Sequence, residues 1–335
     1  MNWSEGYLGR YYITIVDPVS WRDIETHDLL GGSVTKTENS LMESADIDLT
    51  DPLDGGEAWI RIWLDARQEG SGERSAIFTG LLQIPETEWE GTTNSRKAEC
   101  YSVLKPADDV LLPRGWYAPA GMNGAQIAAE LLSVGPAPVV YDENAPSLTS
   151  SIVAEDDDSN LSMAQKIIET IGQRIRISGD GRIRITAPAA EPSAAVDSID
   201  NDIVEAKITY TRDWYSCPNV LRITSGDLTV VVRDEDPDSP LSTAARGREI
   251  WAEERDCKLN DGEGITEYGI RRLKELQAPA KKIKYVRRYL PDIVVGDMIR
   301  VHYPAQGIEG NYLIKKQSIE LGYSGRLSEE GEQYD

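Results

Sequence analysis

Few residues in this chain could do acid–base or metal chemistry, because its 335 residues include only two histidines, His27 and His302. Neither lies in an HxxxH or HExxH spacing, which would bring two imidazoles to one helix face. His302 alternates with Val301 and Tyr303 in a strand-like run, which favours a structural role. The sequence has no G-x-S-x-G elbow, phosphate-cradling loop or dinucleotide fingerprint. We therefore expect no catalytic residue, no metal and no cofactor.

An acidic cluster before residue 161 imitates a calcium loop. Asp156, Asp158 and Asn160 offer closely spaced oxygens, but Leu161 and Ile167 occupy the positions of the turn glycine and the bidentate glutamate. An acidic helix start that suits the helix dipole is the better interpretation. Two carboxylates elsewhere could form a glycosidase pair, but their separation cannot be read from the sequence. A carbohydrate-degrading enzyme therefore stays open as an alternative.

The charge balance limits the partners of the chain. It contains 57 acidic and 35 basic residues and has a net charge of -22, so nucleic acid and anionic lipid should repel it. The acidity fits either a high-salt habitat or the lining of a conduit for a polyanion. We expect no membrane segment, since no apolar run approaches about twenty residues, and synthesis in a cytoplasm, since the start lacks an export signal. Cys100, Cys217 and Cys257 are expected to be reduced thiols.

The stretch from 152 to 186 predicts a capped helix followed by a hairpin. Asp158 or Ser159 can cap a helix whose apolar residues recur at helical spacing up to Gly172. A three-residue loop over 179–181 pairs isoleucine with isoleucine across the hairpin, whereas a two-residue loop would pair isoleucine with arginine. Burial of four isoleucines contributes about 6–12 kcal/mol before ordering costs, so the three-residue loop is predicted.

The same register gathers four arginines on the other face of the hairpin, namely Arg174, Arg176, Arg182 and Arg184. Arg176 lies directly opposite Arg184, which is unfavourable unless acidic groups cover the pair. Either acidic loops of this chain neutralise the arginines, or the face docks on another subunit. Both interpretations remain open at this point.

The chain as a whole is predicted to be β-rich in three parts. The first part, 1–104, contains β-patterned runs at 11–16, 45–49, 58–66, 76–84 and 97–103, which predict a small antiparallel barrel or sandwich. In the third run, Trp59 and Trp63 lie on the outer side, where they either pack under a loop or form a subunit contact. Residues 105–190 form an α+β insert that includes a helix at 124–132.

The third part, 191–335, follows a linker at 187–198 and resumes β-patterning at 204–210, 220–224 and 228–232. Residues 234–247 predict a mobile excursion unless a neighbour orders them, and 265–276 predict a helix. Strands are predicted at 298–303 and 312–321. The basic run at 281–288 is interpreted as a solvated strand face.

These segments resemble the baseplate hub proteins of phage tails, a family that extends to contractile injection systems. The resemblance is carried by the acidic lead-in at 154–158, the helix that ends in Ile171-Gly172 and the Gly179-Asp180-Gly181 turn. It extends to 290–299 and 310–314, which look like the closing barrel strands of that family. Ile175 departs from the family, which often has an aromatic residue there.

The resemblance implies a mainly β fold in which two tail-tube-like antiparallel β-barrels are separated by the α+β domain. It implies a non-enzymatic homotrimer at a virion tail tip or baseplate that joins a six-fold tail tube to a three-fold spike or fibre. Partners would be a tail tube or distal tail protein, a tape-measure protein and a spike or fibre protein, with passive DNA passage through a central channel. A receptor-binding tip protein is a further alternative. Interface candidates are Trp59, Trp63, the four hairpin arginines and 234–247.

Overall fold

A computed structural model describes residues 3, 6–38, 41–49, 57–90, 93–187, 198–200, 205, 207–212, 214–225, 228–255, 264–277, 281–291, 293–322 and 325–333. The described chain is mainly β and forms two compact units. Unit 1 comprises residues 1–208 and 284–335, and unit 2 comprises residues 209–283. The prediction of domains at 1–104, 105–190 and 191–335 stays a prediction.

The first six strands of unit 1 pair in the order β1-β4-β5-β6-β3-β2, and β2 also pairs with β1. Their bounds are β1 Leu8–Val16, β2 Asp23–Thr37, β3 Glu43–Leu49, β4 Ala58–Gln68, β5 Ser71–Glu90 and β6 Thr93–Ser102. Alternation of side chains buries Ile60, Ile62 and Leu64 of β4 completely. β2 was not predicted, because its Gly31-Gly32 pair resembles a turn signal. In fact the strand continues through this pair: the register shifts between Leu29 and Gly31, which marks a bulge, and Gly32, at φ 135, pairs with Ile47 just beyond it.

The chain passes next through the α+β insert. Its elements are α1 Lys105–Asp109, β7 Tyr117–Ala118, α2 Gly124–Leu132, β8 Val139–Tyr141, β9 Ile152–Val153, α3 Asn160–Thr170, β10 Arg174–Ile177 and β11 Ile183–Thr186. Ser159 caps α3 by accepting a hydrogen bond from the Ser162 amide, as predicted. The hairpin register is confirmed, since Ile175 faces Ile185 and Ile177 faces Ile183. α1 was not predicted; its Pro106 lies in the first turn, where a proline is tolerated.

Unit 1 ends in four strands and one short parallel partner. They are β12 Ser198–Asp200, β17 Lys281–Arg288, β18 Met298–Tyr303, β19 Ile308–Glu320 and β20 Arg326–Gln333. β19 pairs with β2 as well as with β18 and β20, so the first and last strands of unit 1 share one sheet. They also share a core, in which Tyr11 and Ile13 belong to the same buried cluster as Leu327. The two-barrel arrangement therefore remains a proposal.

Unit 2 is a small α/β unit. It contains β13 Thr209–Arg212, β14 Val220–Ser225, β15 Leu228–Arg233, α4 Thr243–Arg246, β16 Trp251–Arg255 and α5 Ile265–Leu276. β14 lies between β15 and β16, and α5 packs on one face through Tyr268 and Leu273. The sequence predicts a hairpin connection at 225–227 between β14 and β15, and its residues 226 and 227 lie outside the described residues. In the described part of the chain, no helix is long and apolar enough to span a membrane.

Candidate assembly surface

The outer face of β4 lies against the turn of the β10–β11 hairpin. Trp59 is half-buried, with its ring centroid 5.5 Å from that of Trp21, and both pack against the core of the insert. The Trp21 indole N–H donates to the carbonyl oxygen of Asp180 in the turn at 3.0 Å. Trp59 therefore packs within the chain, and its role in an assembly remains a prediction.

Arg61 lies at the centre of this contact and is only 6% exposed. Its guanidinium donates to a carboxylate oxygen of Asp23 at 2.6 Å, to the hydroxyl of Thr79 at 3.0 Å and to the carbonyl of Asp180 at 3.1 Å. Burial lowers the pKa of Arg61, while the charges of Asp23 and Asp180 act in the opposite direction. The sequence places Arg61 on the outer side of β4, but the contact with the hairpin turn buries it.

Glycines allow the hairpin turn to approach the first sheet. A Cβ on Gly179 would lie 1.9 Å from the carbonyl oxygen of Ala76, and a Cβ on Gly181 would lie 2.8 Å from Thr79. Gly181 also has a φ of 80, in the left-handed region that favours glycine. The Gly-Asp-Gly turn therefore serves both the hairpin and its docking on β4 and β5.

Trp63 lies farther along the same face of β4 in a different environment. Its indole N–H donates to the hydroxyl of Thr14 at 3.0 Å, and the guanidinium of Arg74 lies 3.6 Å from its ring centroid. This cation–π contact also brings Arg74 over Tyr12, at 5.2 Å. Trp63 is half-buried in these contacts, so its role in an assembly remains a prediction.

The four hairpin arginines separate into two pairs. Arg176 forms an ion pair with Asp297, and Arg174 donates to the carbonyl of Gly296 at 3.4 Å. Acidic and backbone groups of the same chain therefore bind Arg174 and Arg176, which agrees with the interpretation that acidic loops of this chain neutralise the arginines. Arg182 and Arg184 are exposed, with Arg182 at 3.2 Å from Asp180. The role of all four arginines in an assembly remains a prediction, and Arg182 and Arg184 are the two with exposed side chains.

A buried charged network that the sequence did not reveal joins β17, β19 and β20. Arg287 is 3% exposed and donates twice to Glu329, at 2.9 and 2.8 Å. Tyr285 and Gln317 also donate to Glu329, the latter at 2.7 Å. Burial lowers the pKa of Arg287, but the negative charge of Glu329 and its hydrogen bonds have the larger combined effect, so the pKa of Arg287 is raised. The interpretation of 281–288 as a solvated face is therefore wrong for Arg287, which shares an inward face with Ile283 and Tyr285.

The segment 234–247 makes its own hydrogen bonds within unit 2. The carboxylate of Asp234 accepts from Ser239 at 2.7 Å and from Gln277 at 2.7 Å. Asn219, fully buried, donates to the carbonyl of Leu241 at 3.1 Å. These contacts hold the segment against its own unit, whereas the sequence predicted a mobile excursion unless a neighbour orders it.

The described residues contain no group of three or more His, Cys, Asp or Glu that could hold a metal ion. Asp158, which the calcium pattern singled out, lies 2.8 Å from Lys166 in an ion pair. Cys100 and Cys217 are buried thiols. A cleft of about 540 Å³ is bordered by β10 and α3 and is lined by two carboxylates, Glu38 and Glu169. Glu38 lies 2.7 Å from Lys315.

Solved structures similar to this chain include two tail proteins and a chain of a PdpA-VgrG complex. A tail protein from Neisseria meningitidis aligns over 98% of this chain and 97% of its own length, with a TM-score of 0.70 and 12% identity. The 43 kDa tail protein of prophage MuSo2 from Shewanella oneidensis aligns over 96% and 97%, with a TM-score of 0.65 and 11% identity. A chain of the Francisella PdpA-VgrG complex aligns over 99% of this chain but 53% of its own length, with a TM-score of 0.58 and 9% identity.

No protein-family model and no curated protein matches the sequence. The structural similarity nevertheless extends over nearly the whole chain, so it concerns the complete order of elements and not one common motif. The resemblance to phage tail proteins is therefore confirmed at the level of the fold.

Proposed function

We propose that this chain is a structural hub subunit of a phage tail tip or baseplate. The observation that carries the proposal is the similarity in fold to the Neisseria tail protein, which covers 98% of this chain at a TM-score of 0.70. In this role the chain forms a homotrimeric ring that joins the six-fold tail tube to a three-fold spike or fibre. Two barrel-like strand sets per subunit would present six barrels to the tube.

Ring closure requires heterologous contacts, in which one surface of a subunit binds a different surface of the next. A tail tube or distal tail protein, a tape-measure protein and a spike or fibre protein are the proposed neighbours. The net charge of -22 supports a channel through which DNA passes without binding. The proposed location is the virion tail.

The test is the mass of the purified chain in solution, together with a cryo-EM map of the intact particle tip. Native mass spectrometry should find a species of three times the 37.1 kDa subunit, and the map should place three copies around the channel. A chain that stays monomeric at all concentrations and is absent from the tip would contradict the proposal. The enzymatic alternative predicts product release from host envelope that Glu169→Gln in the cleft abolishes. The receptor-binding alternative predicts saturable attachment of the isolated chain to host cells.

A further inference from the structure

Exposed aromatic side chains beside arginines are concentrated in unit 2. Trp251 is 45% exposed, and the guanidinium groups of Arg222 and Arg233 lie 5.2 and 5.5 Å from its ring centroid. Tyr215 is 75% exposed, with the guanidinium of Arg248 at 4.2 Å. We call these five residues the arginine–aromatic face. Trp, Tyr and Arg are the residue types that contribute most to protein–protein binding.

The fold explains why the three-stranded sheet of unit 2 leaves this face open. α5 covers one side of the sheet, where Leu221, Ile223 and Val232 are buried. Because side chains alternate along a strand, Arg222 and Arg233 point to the opposite side. No second helix among the described residues packs on that side as α5 does on the other, although Val220, between Trp251 and Arg233, is buried there.

Charge is distributed unequally between the two units. Residues 209–283 contain 12 basic and 14 acidic residues, which leaves 23 basic and 43 acidic residues in the rest of the chain. Unit 1 therefore carries -20 of the net charge of -22. Copies of such a chain repel one another unless a basic surface of one meets an acidic surface of the next. The arginine–aromatic face has that sign, since its three arginines outnumber its two acidic neighbours. Glu249 pairs with Arg233 at 3.2 Å and accepts from Trp251, and Glu253 lies opposite Arg222 on β16.

An acidic surface without a countercharge lies on unit 1. Asp46 of β3 is directly opposite Glu99 of β6, and both side chains are exposed. Like charges opposite each other across a ladder are destabilising. No basic side chain among the described residues lies within ion-pair distance of either carboxylate; Glu99 accepts a hydrogen bond from Tyr101 at 2.9 Å. A guanidinium from another molecule would relieve this repulsion.

We propose that the arginine–aromatic face of one copy docks on the Asp46–Glu99 surface of a second copy of this chain. The contact is heterologous, since the two surfaces differ, and it can therefore propagate around a ring. The inference rests on the proposed homotrimer and adds to it the surfaces that meet.

The experiment measures self-association of the full chain by sedimentation velocity at low salt. Arg222→Glu with Arg233→Glu should weaken association at least about 30-fold, because it places like charges at the contact. The matched control, Arg271→Glu with Lys274→Glu, makes the same charge change on α5 of the same unit and should leave association within about threefold. Raising the salt from about 0.1 M to 1 M, which shortens the screening length from about 10 to 3 Å, should weaken the wild type and not the double variant.

A charge exchange separates a docking defect from misfolding. The variant Asp46→Arg with Glu99→Arg should also weaken self-association. When it is mixed in equal amounts with the variant Arg222→Glu with Arg233→Glu, opposite charges meet again, and a complex of one copy of each variant should form. Unchanged association of the Arg222→Glu, Arg233→Glu variant would overturn this inference and leave the trimer standing, with the face serving another partner such as a polysaccharide. A wild-type chain that never associates would overturn both the inference and the homotrimer.

Discussion

Removal of the charge on Glu329 should destabilise unit 1 more than any comparable surface change. Glu329 is fully buried and accepts from Arg287, Tyr285 and Gln317, so all its lone pairs have donors. Glu329→Gln leaves the guanidinium of Arg287 buried beside a neutral amide that can accept with one atom only. Loss of one member of a buried ion pair costs about 3–5 kcal/mol.

This cost is a large part of the stability of an ordinary domain, which is about 5–15 kcal/mol. The assay is urea unfolding of the full chain. With a slope of about 3 kcal/mol per M, the transition of unit 1 should move down by about 1–1.7 M. The matched control is Glu330→Gln at the next position, where the side chain is 41% exposed and lies 2.8 Å from Lys284. Loss of that surface pair should cost less than about 1 kcal/mol.

A second variant tests whether the cost comes from the unpaired charge. Arg287→Met with Glu329→Leu removes both charges and fills the space with apolar groups, so it should be more stable than Glu329→Gln. The reasoning is refuted if Glu329→Gln and Glu330→Gln unfold at the same urea concentration, or if the double variant is the least stable of the three.

Three further changes test other parts of unit 1. Burial, opposed by Lys36, raises the pKa of Glu43 to about 7, so the native state binds a proton that the unfolded chain releases near pH 4.5. The stabilisation that this group contributes is therefore present below about pH 4.5 and is lost as the pH rises through 7. The difference in unfolding free energy between the wild type and Glu43→Gln should fall by about 3 kcal/mol between pH 4.5 and 8. A difference that stays constant with pH would contradict the raised pKa of Glu43. Gly179→Ala forces a Cβ against the Ala76 carbonyl and should cost about 1–3 kcal/mol, visible as faster amide exchange in the hairpin turn. Gly72→Ala, whose Cβ would lie at an ordinary contact distance of 3.5 Å from the Ala66 carbonyl oxygen, should leave that turn unchanged. Ser159→Ala removes the cap of α3 and should cost about 1 kcal/mol in thermal unfolding, and no loss would argue against the capping box.

Local sequence signals predicted two helices and the hairpin of the insert, namely α2, α3 and β10–β11. The register of β10 and β11 follows from the alternation of isoleucine and arginine together with one glycine-rich turn, all within thirteen residues. The bounds of α2 and α5 follow from apolar spacing and from caps close in the chain. Each of these elements is specified by residues that lie near one another in sequence, so no knowledge of distant contacts was needed.

The buried arginines show where such signals fail. Arg61 alternates with buried isoleucines and so belongs on the outer side of β4, but residues 179–181 cover that side from more than a hundred positions away. Arg287 stands in a basic run, and its partner Glu329 lies on another strand. One signal could have identified Arg287, because Ile283 and Tyr285 precede it at strand spacing and mark the inward face. For Arg61 the sequence offers no comparable sign.

The pairing of β2 with β19 has a consequence for synthesis of the chain. Val34 pairs with Ile319, so residues 33–37 can pair with β19 only after roughly 280 further residues have been synthesised. At translation rates of about 5–20 residues per second, one edge of β2 waits about 15–60 s for its partner. Unit 2 needs no such wait, because its residues lie within 209–283. Nascent unit 1 therefore offers an open strand edge to chaperones, or to other nascent chains, until translation has almost finished.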